Sequence, residues 1–332
     1  MRKFLSIWNP AIYHGFGRAH SYFEGWFFKN VTKDERNALA VIPGVSIADD
    51  SAASHAFVMV SEAATGRMTY FKHPLSAFRA DRRKFEIRIG ASTFSLAGMT
   101  LDLTDGRTAV RGRFSFGKTR PWPVRLLSPG IMGWYAFVPS MECYHGVLSL
   151  DHGLGGEISI DERTIDFTQG KGYCEKDWGV SMPAAWVWMQ SNHFDRDDIS
   201  LTGSIAKIPW RGSFFTGFIF GFLLDGRLFR FTTYSGAKVE SFRVESGKIV
   251  LRFETRAFAL DIEAERRDGV ELSAPSLGAM TARIRETLNS RVEVKLFDKT
   301  SATTVFAGTG RCAGLECVGD MNELNRGLSL KK

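Results

Sequence analysis

The chain is poor in residues that mark several protein classes. Of its 332 residues only 10 are proline and 4 are cysteine, which excludes a proline-rich linker protein and a disulfide scaffold. Cys143, Cys174, Cys312 and Cys317 lack metal-finger spacing, so buried free thiols are expected. Long apolar runs are also missing. The most apolar stretch, residues 214–224, is broken by Thr216, Gly217 and Gly221 and falls short of the ~20 residues a membrane helix needs. The start, Met1-Arg2-Lys3-Phe4-Leu5, opens like a secretory leader, but Asn9-Pro10 stops the apolar run too early for one. A cytoplasmic protein is expected, with peripheral contact at a membrane as the open alternative. Glycine-rich phosphate loops and nucleophile elbows are absent, and His145 and His152 have no ligand company in sequence. No metal site and no nucleic-acid partner are therefore expected.

What is abundant is aromatic. The chain carries 27 Phe, 8 Trp and 7 Tyr beside 33 Gly, a composition suited to strands and tight turns. Lys and Arg outnumber Asp and Glu by 43 to 36, a balance that favours anionic partners. The densest basic run, residues 79–84, contains Asp81 and reads as a solvated edge. Alternation of period two dominates: Leu101 and Leu103 alternate with Asp102 and Thr104, and Val292, Val294 and Leu296 with Glu293 and Lys295. An all-β architecture follows. One exception is expected, since Leu277, Met280, Ile284 and Leu288 fall at helical spacing and suggest a short amphipathic helix over 276–289.

The length suits two domains, and an internal repeat supports them. KFEIRIGASTFSL at 84–96 and KIVLRFETRAFAL at 248–260 read as the same strand, turn and strand at an offset of 164. Trp26-Phe27-Phe28-Lys29 matches Trp186-Val187-Trp188-Met189 at nearly that offset. Domains at 1–165 and 166–332 are expected.

Three clusters could carry chemistry. In Tyr22-Phe23-Glu24-Gly25-Trp26-Phe27-Phe28-Lys29, Glu24 and Lys29 bracket an aromatic run. A carboxylate buried there either pairs with a cation or has a raised pKa. A denser cluster holds Tyr173, Cys174, Glu175, Lys176, Asp177 and Trp178, followed by Trp186, Trp188, Gln190, Asn192 and His193. One strand face would carry Trp186, Trp188, Gln190 and Asn192, a mixture suited to a cavity that binds a polar head and an apolar body. In the third cluster, alternation pairs Glu142 with Tyr144 and Cys143 with His145.

Four separated runs, FEGWFFK, MECYHGVLS, GYCEKDWGVSMP and AWVWMQSNHF, with the closing GRCAGLEC, resemble the tocopherol cyclase family over about 10–325. The basic balance, with no plastid-type leader in evidence, points to a bacterial member. The resemblance implies two tandem lipocalin-like antiparallel β-barrels, in a superfamily that includes carotenoid hydratases. It also implies closure of a prenylated quinol to a chromanol without a cofactor. Such chemistry protonates an alkene and needs an acid kept protonated among apolar and electron-rich walls. Asp177 is the expected acid, followed by Glu24 and Glu175. Trp26, Trp178, Trp186 and Trp188 are the expected walls, and Gln190, Asn192 and His193 would orient the quinol hydroxyls. Lys29, Glu142, Tyr144, His145 and Lys176 complete the expected substrate-binding set. Two rivals remain: a non-catalytic binder of a hydrophobic ligand, and a hydratase or isomerase of a polyene or other isoprenoid.

Overall fold

The computed structural model describes residues 6–139 and 141–328. Period-two alternation resolves into antiparallel strands almost throughout. The first fourteen are β1 (Tyr22–Val31), β2 (Ala38–Ile47), β3 (His55–Glu62), β4 (Arg67–Pro74), β5 (Phe78–Ala80), β6 (Glu86–Ile89), β7 (Ser92–Ser95), β8 (Gly98–Thr104), β9 (Ala109–Phe116), β10 (Val124–Arg125), β11 (Ser128–Pro129), β12 (Cys143–Ile160), β13 (Arg163–Asp166) and β14 (Lys171–Gly179). The remainder are β15 (Trp186–Ser191), β16 (Ile199–Trp210), β17 (Ser213–Leu224), β18 (Arg227–Thr232), β19 (Lys238–Val244), β20 (Lys248–Glu254), β21 (Phe258–Glu265), β22 (Val270–Ser276), β23 (Ala279–Asp298) and β24 (Thr303–Val318), followed by the short helix α1 (Met321–Gly327). Asp320 caps α1 by accepting from the Asn322 N–H. Among the described residues, no helix is long and apolar enough to cross a membrane.

The expected all-β architecture holds, in two large sheets of one design. The first runs β4-β3-β2-β1-β14-β12-β9-β8-β7-β6-β5, and the second runs β18-β17-β16-β15-β24-β23-β21-β20-β19. In each, a four-stranded meander is followed by later strands that double back, so that the last strand pairs with the first. Each sheet has its own apolar core. Phe28, Phe94, Phe114 and Phe167 lie in the first, and Phe220, Phe231 and Phe253 in the second. Strand core therefore absorbs much of the phenylalanine excess. Pro43 lies in the interior of the first sheet, where the β1–β2 ladder breaks between Gly25↔Gly44 and Phe28↔Val41, as a residue without an N–H requires.

Two compact units contain these sheets: residues 1–182 with 272–283, and residues 183–271 with 284–332. The strand β14, which a boundary at 165/166 would assign to the second domain, is hydrogen-bonded between β1 and β12 in the first sheet. The repeated hairpins are β6–β7 and β20–β21, but their turns differ. Ile89↔Ser92 closes a two-residue turn, whereas Glu254↔Ala259 closes a longer one. As a result Phe94 is buried while its repeat partner Phe258 is only partly so.

The expected helix over 276–289 is instead the β22–β23 hairpin. Leu277 and Gly278 have φ of 49° and 79°, a two-residue turn of the kind that joins twisted strands, and beyond it residues alternate with period two. Three or four apolar residues at helical spacing do not distinguish a helix from a strand bent by irregular pairing, such as β23 shows against β24. The cysteines are all free, but only Cys174 is fully buried. The turn is held within the first unit: Gly278 N donates to Val180 O at 2.7 Å, and Ser46 Oγ donates to Gly278 O at 2.6 Å. A Cβ at Gly278 would lie 2.5 Å from both Ile47 O and Tyr22 N. Gly278→Val is expected to cost about 1–3 kcal/mol in backbone strain, read as a lower urea midpoint at unchanged slope.

Candidate functional site

The pleat sorts the charged cluster of the first unit onto two faces. On β14, Cys174, Lys176 and Trp178 point one way, and Tyr173, Glu175 and Asp177 point the other. Pairing with β1 places Glu24 opposite Trp178, and Trp26 opposite Lys176. Pairing with β12 places Tyr144 opposite Trp178, and His145 opposite Asp177. Residues contiguous in sequence therefore form two separate sites.

The inner face, which also carries the apolar core, holds a saturated ion pair. Lys176 and Glu24 have no solvent exposure, and Lys176 Nζ lies 2.6 Å from Glu24 Oε1. Glu24 also accepts the His14 backbone N–H at 2.9 and 3.0 Å and the Tyr22 hydroxyl. Lys176 donates further to Pro10 O, Ile12 O and His14 Nδ1. Its ammonium lies 4.5 Å from the Trp178 ring centroid and 5.0 Å from that of Trp26, and Trp178 is stacked between His14 and Tyr144. Burial lowers the Lys176 pKa to about 8, with Glu24 opposing the fall. Burial raises the Glu24 carboxyl, but Lys176 and His14 outweigh it and leave the group below its usual range. Burial, then Lys176, lowers the His14 imidazole. Lys176 donates to Nδ1, so the neutral ring carries its proton on Nε2, towards Ser6 O. Glu24 is thus a paired carboxylate, and Trp26 and Trp178 face a cation that belongs to the protein.

On the opposite face of the same strands, His145 bridges two carboxylates. Its Nδ1 lies 2.9 Å from Asp177 Oδ1, and its Nε2 lies 3.5 Å from Glu175 Oε2. Tyr173 donates its hydroxyl to Glu175. Cys143 Sγ stands 3.8 Å from Asp177 Oδ1, and burial, then Asp177, raises its pKa and keeps the thiol protonated. Lys29, opposite Tyr173 on β1, shares this face and is buried. Glu142 precedes β12, half-buried, and burial raises its pKa. Directly opposite Asp177 on β1 is Gly25, where an added Cβ would meet nothing nearer than 3.9 Å. The Asp177 carboxylate, about a quarter exposed, therefore has room beside it. Ligand atoms of His145, Glu175 and Asp177 lie within 4.8 Å of one another, close enough to hold a cation. His145 thus has the company that sequence reading denied it, since its partners lie some thirty residues away.

In the second unit, Trp186, Trp188 and Gln190 alternate with the core residues Val187 and Met189 and so share the face turned from that core. Glu316 pairs across from Trp188 and from Glu286, and its Oε2 accepts the Trp186 indole N–H at 2.6 Å. Asn192 and His193 follow the end of β15, where the His193 carbonyl accepts the Arg311 N–H. Trp26 belongs to the core of its unit and Trp186 to the opposite face of its own, so the strands correspond but the two tryptophans do not. Sequence reading missed His14, Glu286 and Glu316, and it named Tyr173 in its cluster without giving it a role. Only Glu316 carried a signal, as the acid within GRCAGLEC.

The family described as tocopherol cyclase-like matches residues 104–319, about two thirds of the chain. That stretch includes His145, Glu175 and Asp177 but not Glu24 or Trp26. A probable chloroplastic tocopherol cyclase of Oryza sativa subsp. japonica is 26% identical over 198 residues, covering 56% of this chain and 42% of that protein. A chloroplastic tocopherol cyclase of Zea mays is equally similar over 41% of its length, so the match spans about two fifths of these relatives. Among solved structures, CghA aligns with a TM-score of 0.55 at 11% identity, covering 90% of this chain and 89% of that one. Kievitone hydratase of Nectria haematococca aligns with a TM-score of 0.51 at 9% identity, covering 93% and 94%. These two likenesses bear on the fold alone.

The inner pair has measurable consequences. Lys176→Met leaves a buried carboxylate without its cation and is expected to cost about 3–5 kcal/mol. The Glu24→Gln/Lys176→Met double variant should lose less than the sum of the two single changes. The Glu24 pKa is depressed in the folded state, so the unfolded chain binds more protons below its usual value of 4.5. Its stabilisation is present above that pH and is lost as pH falls through the folded-state pKa. Urea unfolding at descending pH should show this acid slope in the natural chain and a shallower one in the double variant.

Proposed function

The chain belongs to the tocopherol cyclase-like family, and from that premise we propose that it is an acid-catalysed cyclase of a hydrophobic, alkene-bearing substrate, a prenylated quinol being the leading candidate. The observation that carries this reading is the His145–Asp177 pair, with Glu175 on the far side of the imidazole and open space over Gly25. One mobile proton is shared by the dyad, on the imidazole in one form and on the Asp177 carboxyl in the other.

Asp177 delivers this proton to the less substituted alkene carbon, and the π electrons form the new C–H bond. The cation left at the tertiary carbon is captured by the phenol oxygen, which forms the C–O bond and releases its own proton to the dyad. Atoms and charge balance without a redox step, so the product is an isomer of the substrate. Glu24 is an unsuitable acid by this argument, since a carboxylate held by Lys176, His14 and Tyr22 has no proton to give.

The test is incubation of the purified chain with prenyl-quinols and polyenes, anaerobically, with products followed by mass spectrometry. Isobaric products are expected. Products heavier by one water would replace cyclisation with hydration, and ligand retained unchanged would make the protein a binder. Asp177→Asn should lower turnover by about 10²–10⁴-fold while the melting profile is preserved. Gly25→Val should lower turnover by filling the space beside Asp177, again without loss of fold.

A further inference from the structure

Among the described residues, four exposed large apolar side chains fall within residues 124–134, whereas Leu75, Leu277 and Val305 are exposed singly elsewhere. Val124, Leu126, Leu127 and Trp134 are all exposed, with Leu126 at 74% and Leu127 at 79%. Arg125 pairs with Ser128, so the two leucines form the two-residue tip of the β10–β11 hairpin. Tips of this length favour Asn, Asp and Gly, which supply both the required dihedrals and solubility. Neither leucine has a positive φ, so this turn makes no such backbone demand, and the two side chains hold bare hydrocarbon in solvent.

Aromatic rings surround the base of the hairpin. The Trp8 indole N–H donates to Leu126 O at 2.9 Å, and its ring meets Phe137 edge-on at 5.5 Å. Trp134 and Tyr135 stack at 4.0 Å in the turn that follows. The charge pattern is one-sided. Residues 117–141 contain no Asp or Glu but carry Lys118, Arg120 and Arg125, whereas the earlier Arg111 and Arg113 lie against Asp102 and Glu157 of neighbouring strands.

We infer that this hairpin is a docking element for an anionic lipid bilayer. Leu126 and Leu127 enter below the headgroups, Trp134 and Tyr135 lie at headgroup depth, and Arg125 and its basic flank meet lipid phosphates. A protein partner could cover the leucines equally well but would not account for residues 117–141, which bring Lys118, Arg120 and Arg125 to the hairpin's own segment and no acid. The inference stands whether or not the proposed reaction does.

Sedimentation of the full chain with lipid vesicles tests it. With phosphatidylcholine containing about a third phosphatidylserine, the protein should co-sediment, at least about tenfold more strongly than with phosphatidylcholine alone and less strongly at high salt. Leu126→Ser/Leu127→Ser should reduce binding by about tenfold or more at an unchanged melting profile. Arg125→Glu should reduce binding to anionic vesicles without touching the leucines. Equal binding by the double-serine variant, or no binding by the natural chain to anionic vesicles, would overturn the inference. A dimer seen by light scattering that the double-serine variant abolishes, with no vesicle binding, would assign the hairpin to a second copy of the chain and also overturn it.

Discussion

An ammonium group taken fully out of water loses several kcal/mol of hydration unless the protein replaces every contact. Lys176 is in that position, and the structure around it is arranged to meet the demand. Glu24 supplies the counter-charge from β1, Pro10 and Ile12 supply carbonyls, His14 supplies a neutral imidazole nitrogen, and two indoles supply their faces. Meeting it draws residues 10–14 across the inner face, where Gly146 on β12 leaves room for Pro10. It also ties β1 to β14 at a definite register, since a one-residue slip would carry Glu24 to the other side of the sheet.

The same register builds the second cluster. With Lys176 inward, Asp177 and Glu175 must point outward, and the neighbouring strand brings His145 between them. The two faces differ in what their charges are free to do. Inside, every donor and acceptor of the ion pair is engaged and water is excluded, so the charges hold structure. Outside, Asp177 retains partial exposure beside the open space at Gly25. A single strand thus carries a fully buried ion pair on one face and a partly exposed charged cluster on the other.

Much of the architecture was legible because strand periodicity is local. Alternation identified an all-β chain, and the hairpins at 84–96 and 248–260 were read correctly as strand, turn and strand. Inward parity carried over between the two copies as well, because alternation is local: Ile87 and Ile89 match Leu251 and Phe253 in their cores, and Phe94 and Leu96 match Phe258 and Leu260 on the core side, although Phe258 is less deeply buried than Phe94. Helical spacing around 277–288 misled because irregular pairing in a long strand shifts its parity, and the Leu277-Gly278 turn interrupts it. Reading GYCEKDWG as one cluster joined residues that the pleat separates onto two faces, and it set Trp26 and Trp178 beside Asp177, which lies across the sheet.

From sequence alone came the β class, the family, and the expectation that Asp177, Glu175 and His145 belong to chemistry-bearing segments. Those conclusions rest on composition, spacing and motif, which survive without coordinates. Which carboxylate is buried in an ion pair and which stays partly exposed was decided only in three dimensions. Lys176 and His145 each find partners far along the chain, and only the hydrogen-bonded register of β1, β14 and β12 brings them within 3 Å. A carboxylate's role follows from what it touches, and here the contacts are made by the sheet.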